Sequence, residues 1–363
     1  MNKENHVLVE ASEAIQDTQS AQMTRSLSWA WTVVGPFLGL IATILLFAWL
    51  TRGSGTFLTV YNWRTISVQT VIVATAALGM TLVMIAGGID LSVGSVVALV
   101  TVVAALAAGE STWHLPKGMG GGFVLFRVSM IAALMLGVVV GGLCGLLNGM
   151  LITGLRVVPF IITLGSLKVY RGVAKWLSSS TSIFVPGDAK PPWFQEVLAI
   201  EPVPSWLVLA PGVWAVLGLS LVLALVLRYT LFGRHVYAVG SNEATARLCG
   251  INVPFVKVLI YTCAGGAFGL AGVLQFLFLG GTGDPTTADG LELEVIAAVV
   301  IGGASLSGGE GTVLGTLIGC LIMSVLANGC VLANIPNAAR DVIIGAIIVA
   351  AVALDRYRRS LET

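Results

Sequence analysis

The chain has 363 residues, of which 56% are hydrophobic and 10% charged, with a formal net charge of +1. Its mean hydropathy is +0.95. A soluble domain carries about 25% charged residues, so this composition excludes an ordinary soluble protein and predicts an all-α polytopic membrane protein. A net charge so close to zero provides no overall field that would attract nucleic acid, and we expect no nucleic-acid partner.

Residues 1–28 are acidic and polar and lack the apolar core of a cleavable signal peptide. We expect them to form a mobile cytoplasmic tail. Residues 29–355 are predicted to form one transmembrane domain, and residues 356–363 a basic cytoplasmic tail.

Apolar runs of about 20 residues mark membrane-spanning helices. We expect about ten, several of them short or broken, which places both termini on one side. Basic residues in 228–257 and 356–359 indicate that this side is the cytoplasm. The predicted helices are 31–51, 66–86, 91–110, 128–153, 158–174, 206–227, 257–279, 294–309, 312–332 and 341–354.

Two similar glycine- and serine-rich stretches each lie between apolar segments: GGIDLSVG at 87–94 and GGASLSGG at 302–309. One interpretation is convergent use of small residues at tight helix junctions. The other is a duplicated broken-helix hairpin, whose helix N-termini could present N–H groups to a polar solute.

Asp90 is a carboxylate near the membrane boundary, where charges are costly and usually functional. It is also well placed to be the N-cap of the following helix, and the two roles are compatible. Asn148 could serve helix packing, helix termination or contact with a solute. The candidate translocation-pathway residues are Asp90, Ser92, Asn148, Thr163, Ser305 and Ser307.

Residues 178–205 contain too many prolines for a continuous helix. We predict an outer loop in which Trp193 and Phe194 rest at the membrane interface. Residues 281–293, which are acidic and turn-rich, are predicted to lie on the same outer side.

A polar segment, 228–256, interrupts the apolar pattern. Ser241 or Asn242 can cap a two-turn helix over residues 243–249, with Glu243 in its first turn and Gly250 as its stop. Glu243 and Arg247 are then one turn apart. So short a helix does not persist alone in water, so it would have to dock on another surface. The alternative is a plain interhelical loop.

Enzyme motifs are absent from the sequence: it has no G-x-x-x-x-G-K-[ST], no H-E-x-x-H and no G-x-S-x-G. The cysteines and histidines are scattered without metal-ligand spacing, so no metal site is expected. We therefore predict a non-enzymatic protein without its own ATPase site.

Four stretches resemble the permeases of ABC importers for monosaccharides, of the ribose, xylose and galactose type. They are GMTLVMIAGGIDLSVGSVVAL (79–99), PFIITLGSL (159–167), FGRHVYAVGSNEATARLCGIN (232–252) and ELEVIAAVVIGGASLSGGEGTVLGTLIG (292–319). The resemblance spans roughly residues 60–355.

The resemblance implies a multi-pass permease of the bacterial cytoplasmic (inner) membrane that moves a pentose or hexose. It also implies four kinds of partner: a second permease subunit, cytoplasmic ATPase subunits that hold ATP-Mg, an extracytoplasmic sugar-binding protein and membrane lipid. This chain itself would carry no cofactor. The residues that fall in the family's ATPase-coupling segment are Gly233, Asn242, Glu243, Ala244, Arg247 and Gly250.

Two alternatives remain open. An ABC permease for a branched-chain amino acid, autoinducer or nucleoside would share the fold. An ion-coupled secondary transporter would need ionisable residues at mid-membrane, and the centres of these apolar segments carry almost none.

Overall fold

The structure is a computed structural model that describes residues 35–53, 55–109, 112–114, 122–124 and 128–360. The predicted tail 1–28 lies outside the described residues, as does the end of the predicted tail 356–363. The helices are α1 Gly35–Leu50, α2 Val60–Ile85, α3 Val93–Ala108, α4 Met130–Leu155, α5 Pro159–Leu177, α6 Trp193–Glu196, α7 Pro211–Tyr229, α8 Leu231–Ser241, α9 Glu243–Leu248, α10 Val253–Phe278, α11 Leu291–Ile301, α12 Val313–Leu332 and α13 Asn337–Ser360.

Each predicted apolar segment coincides with one of these helices, and the chain is a mostly helical membrane protein. Within the described ranges, α2, α4, α7, α10 and α12 are long and apolar enough to span a membrane. The number of spans stays a prediction, because α1 and α3 are shorter and α11 is shorter still. The predicted segment 294–309 overshoots α11, whose C-cap is Gly302, followed by Gly303 with a φ of +90°.

The core forms around α2 and α3, which are apolar on every face, as expected of interior helices. In α2, 89% of the most apolar 18-residue stretch is buried. Next to them, α4 and α10 cross with their backbones in contact: a Cβ added at Gly141 or Gly145 would overlap α10 at Gly265. Small residues at such crossings let membrane helices approach closely.

Two helices end in the same way on one side of the molecule. At the end of α2, Gly87 N donates to Met84 O and Gly88 N to Val83 O, both at 2.9 Å. At the end of α11, Gly303 N donates to Val300 O at 2.9 Å, and the next amide to Val299 O at 3.1 Å. These are Schellman-type ends, which use a glycine of positive φ. The two glycine-rich stretches are therefore matching helix ends.

α11 follows a loop that packs against the first turn of α3, where Gly94 contacts the carbonyl of Ala288, and the two residues before it, Asp289 and Gly290, are exposed. Its 11 residues span about 16 Å at 1.5 Å per residue, roughly half of a 30 Å bilayer. Non-helical backbone is tolerated at such depth only where protein covers it. Here Arg171 of α5 donates to the carbonyls of Pro285 (3.1 Å) and Thr287 (2.6 Å).

The strands are short: β1 Thr112–His114 pairs with β2 Gly122–Val124, and β3 Ile183–Phe184 pairs with β4 Thr282–Gly283, both antiparallel. The β3–β4 pair joins the proline-rich loop to the loop before α11. The prediction that Phe194 rests at the membrane interface is wrong. Its side chain is 1% exposed and packs edge-on against Phe276, with ring centroids 5.9 Å apart.

Candidate functional site

The polar segment after α7 folds into two helices, α8 and α9, of which the sequence predicted only the second. Thr230 is the N-cap of α8, and its hydroxyl accepts from Gly233 N at 3.2 Å. Gly233, Val236 and Val239 form its buried face. The three-residue spacing of these small and branched residues was the signal available in the sequence for α8.

α9 follows the local rules that predicted it, and its last helical residue is Leu248, one earlier than expected. Of the two proposed caps, the structure uses Asn242, whose Oδ1 accepts from Thr245 N at 2.9 Å. Gly250 has a φ of +82°, as a left-handed helix stop requires. The short helix is therefore fixed at both ends.

Glu243 connects α9 to a membrane helix. It pairs with Arg247 one turn along (2.6 Å), as predicted, and with Lys257 near the start of α10 (2.6 Å). The second pair was not predicted, because it joins residues of different helices. Hydrogen bonding to Lys257, supported by Arg247, lowers the pKa of Glu243 below its ordinary value of 4.5. Both pairs therefore persist at neutral pH, and they weaken as the pH falls through this lowered pKa.

α8 contacts both glycine-rich turns at one point, which we call the glycine junction (Gly87, Gly240, Gly308 and Gly309). A Cβ on Gly240 would overlap the carbonyl of Ile85, and one on Gly308 would meet Gly87. Gly309 N donates to the carbonyl of Ile85 at 2.8 Å. α8, the end of α2 and the α11–α12 turn thus touch backbone to backbone.

A cavity of about 270 Å³ opens beside the glycine junction, between the two turns, α8–α9 and α10. Of the candidate coupling residues, Asn242 and Glu243 line it, as does the pathway candidate Ser307. Ser305 lies in the same turn, where its hydroxyl accepts from Ser307 N at 3.2 Å.

The other four pathway candidates form a fully buried cluster, which lies at the start of α3 and on α4 and α5. Asp90 Oδ1 accepts from the backbone N (2.8 Å) and the hydroxyl (2.6 Å) of Ser92. Asn148 Nδ2 donates to the Ser92 hydroxyl at 3.0 Å and to Asp90 Oδ2 at 3.4 Å. Thr163 donates to the carbonyl of Ile89 at 3.2 Å. Ser92 occupies the assigned N-cap position of α3 but its side chain makes no capping bond. Asp90 instead accepts the amide two residues along, which is the contact of a capping side chain.

Two members of this cluster were missed by the sequence analysis. Ser166 donates to Asn148 Oδ1 at 2.6 Å, and Tyr170 reaches the same oxygen at 3.0 Å. Thr163, Ser166, Tyr170 and Ala174 form the buried face of α5. Their three- and four-residue spacing could have identified them. The structure thus separates the six pathway candidates into the buried cluster and the α11–α12 turn, in which Ser305 is itself buried.

One apolar side chain projects from α9. Leu248 is 89% exposed, the most exposed large hydrophobic residue in the described part of the chain. Its side chain is therefore free to contact a partner.

Apolar spanning helices, interior breaks at glycine-rich turns and a capped helix standing beside those turns define a helical membrane permease. The family described as "Branched-chain amino acid transport system / permease component" matches residues 62–352. The chain therefore belongs to this permease family.

Curated relatives match over nearly the whole chain. The ribose import permease protein of Escherichia coli is 34% identical over 348 residues, which cover 94% of this chain and 99% of the relative. The L-arabinose ABC transporter permease protein of Azospirillum brasilense is 32% identical over 336 residues, 93% and 92% of the two chains. The D-allose transport system permease protein of Escherichia coli is 32% identical over 330 residues, 90% and 92%. No solved structure matches the chain.

The assignment of Asn242 rather than Ser241 as the N-cap of α9 can be tested by substituting each residue in turn. Asn242→Ala should remove the hydrogen bond to Thr245 N and cost α9 about 1 kcal/mol. The amides of residues 243–249 should then exchange roughly fivefold faster, as measured by hydrogen–deuterium exchange mass spectrometry. Ser241→Ala is the control and should leave exchange unchanged. Equal exchange in the two variants would contradict the assigned cap.

Proposed function

We propose that this chain is the permease subunit of an ABC importer that moves a monosaccharide across the bacterial cytoplasmic membrane. The observation that carries the proposal is the similarity, over nine-tenths or more of the chain, to permeases named for ribose, arabinose and allose. The capped helix α9 and its contact with the interior turns support it. The chain has no ATPase site of its own, and ATP-Mg belongs to the partner.

We assign α9 as the coupling helix that docks on the ATPase subunit. Leu248 and Arg247, 89% and 60% exposed, are available for contact, while Glu243 is engaged by Lys257. Gly233 and Gly250 set the limits of the rigid segment. Ala244, which is exposed on α9, belongs to the same contact surface.

Movement of the ATPase would pass through two routes. The first runs from α9 along α8 to the glycine junction, where Gly240 contacts the carbonyl of Ile85. The second runs through the Glu243–Lys257 pair into α10. Because backbone contacts without side chains cannot absorb displacement by changing rotamer, a shift of α8 would move the end of α2 and the α11–α12 turn together.

The remaining partners follow from the importer assignment. A second permease subunit pairs with this one, and a sugar-binding protein delivers the solute to the face opposite α8–α9. A second candidate solute is a branched-chain amino acid, which the description of the matching family favours. A ligand screen of the cognate binding protein separates these two solute classes.

The energy source is tested by reconstitution. The purified chain alone should hydrolyse no ATP and take up no sugar in liposomes, even with an imposed proton or sodium gradient. Adding the ATPase subunits, the binding protein and ATP should start uptake of D-ribose, L-arabinose or D-allose. Uptake by the chain alone under an ion gradient would refute the ABC assignment.

Topology is tested by labelling with an impermeant maleimide in intact cells or spheroplasts, using a chain whose native cysteines have been replaced. Thr282→Cys, in strand β4 beside the proline-rich loop, should label because this pair of strands is proposed to lie outside. Thr245→Cys, exposed on α9, should label only after the membrane is permeabilised. The reverse pattern would invert the proposed orientation.

Coupling is tested at the tip of α9. Leu248→Asp should lower sugar-stimulated ATP hydrolysis of the complex in nanodiscs by about tenfold or more, because a charge would replace an apolar docking contact. Glu243→Lys, which breaks both ion pairs of α9, should act in the same direction. Leu248→Met is the control, since it keeps volume and polarity and should retain activity. Wild-type stimulation in the assembled Leu248→Asp complex would show that α9 is not the coupling helix.

A further inference from the structure

A second cavity, of about 220 Å³, lies between α2, α11, α12 and α13. We call it the α12 cavity. Its polar lining is rich in hydrogen-bonding groups, and the remaining wall is apolar. The polar residues are Gln69, Glu294, Ser324, Asn328 and Arg340, and the apolar residues are Val73, Ala327 and Val331.

Unpartnered polar atoms are concentrated at this cavity. In the described part of the chain, the buried side-chain atoms without a hydrogen-bond partner are Tyr261 OH, Glu292 Oε2, Ser324 Oγ, Asn328 Oδ1 and Arg340 Nε. The last three belong to residues that line the α12 cavity. Ser324 and Asn328 are 2% and 8% exposed. Buried polar groups are normally paired because leaving them unpaired destabilises the fold, so these three atoms are open to a hydrogen-bonding molecule in the cavity.

The cavity lies in the half of the molecule away from the glycine junction. Gln69 is in the first half of α2, Asn328 is near the end of α12, and Arg340 is in the first turn of α13. Glu294 is in the first turn of α11. The cavity is therefore beside the broken-helix segment, on the side where a solute would arrive.

The charges at the cavity favour a neutral polar ligand. Glu294 and Arg340 provide one negative and one positive group, so the lining selects neither cations nor anions by net charge. Arg340 pairs only loosely with Asp341, at 3.7 Å, and its Nε has no partner. Carboxylate, guanidinium, amide and hydroxyl groups together offer donors and acceptors to adjacent hydroxyls, while Val73, Ala327 and Val331 can cover a C–H face.

We propose that the α12 cavity is a binding site for one monosaccharide in transit, held by Gln69, Glu294, Ser324, Asn328 and Arg340. This inference rests on the proposed function and names a site distinct from the candidate pathway residues, none of which lines the cavity. A volume of about 220 Å³ leaves room for a ligand larger than a water molecule, such as a single sugar ring.

The unpartnered atoms allow a test that separates binding from folding. Ser324→Ala and Asn328→Leu remove Ser324 Oγ and Asn328 Oδ1, which have no hydrogen-bond partner in the described part of the protein, so thermal stability and assembly should stay close to wild type. The matched control is Ser220→Ala in α7, whose buried hydroxyl donates to Val216 O at 2.7 Å. A purely structural role predicts the opposite order, with Ser220→Ala the more harmful substitution.

The measurement uses the full complex in proteoliposomes, with saturating binding protein and D-ribose, L-arabinose or D-allose as probes. Initial uptake should fall by about tenfold in Ser324→Ala and Asn328→Leu, while ATP hydrolysis stimulated by the binding protein stays near wild type. Fewer sugars would then be moved for each ATP. Ser220→Ala should transport at the wild-type ratio.

Wild-type uptake in both cavity variants would overturn the site, and so would a loss of uptake that merely follows loss of assembly. If the wild-type complex transports none of the three sugars, the proposed monosaccharide function fails. If it instead transports leucine, and the cavity variants reduce that uptake, the proposal of a monosaccharide ligand is wrong although the cavity still lies on the path.

Discussion

The contact on which the rest of this structure depends is the meeting of three backbone segments at the glycine junction. Gly240 of α8 lies against the last carbonyl of α2, and Gly309 donates a hydrogen bond to the same carbonyl. A methyl group at Gly240 would separate these segments. The end of α2 and the α11–α12 turn are both held at this point, so the position of α8 fixes the position of both. A movement of α8 would therefore move these two segments with it.

The two glycine-rich stretches, 87–94 and 302–309, correspond only in part in their three-dimensional structure. The helix ends correspond when Gly87 is matched to Gly303, whereas the side-chain turns correspond when Asp90 is matched to Ser305. A one-residue shift therefore lies between the two features. The second stretch also delays its next helix until Val313, while α3 follows at Val93. Both the convergent and the duplicated interpretation accommodate this result, but the shared geometry extends beyond a preference for glycine.

Features set by local chemistry could be predicted from the sequence, and features set by packing could not. The apolar runs located every long helix, and Asn242, Glu243 and Gly250 identified α9 because capping acts over a few residues. In contrast, Phe194 was assigned to the membrane interface because its partner Phe276 is far away in the sequence. The Glu243–Lys257 pair was missed for the same reason. Ser166 and Tyr170 differ, because their helical spacing on α5 carried a local signal that was overlooked. The α12 cavity joins four helices, and no single stretch of sequence contains its signal.

The two polar regions inside the helices differ in how their hydrogen bonds close. The side chains around Asp90 form hydrogen bonds to one another; they are the Asp90 carboxylate, Ser92, Asn148, Ser166 and Tyr170. This network fixes the start of α3, α4 and α5 relative to one another. Ser324 Oγ and Asn328 Oδ1, by contrast, have no hydrogen-bond partner in the described part of the protein. The first arrangement is already complete within the protein, whereas the second leaves hydrogen-bonding capacity open to a molecule in the cavity. The pathway role of Asp90 stays a prediction, and in this structure its carboxylate joins the start of α3 to Asn148 of α4.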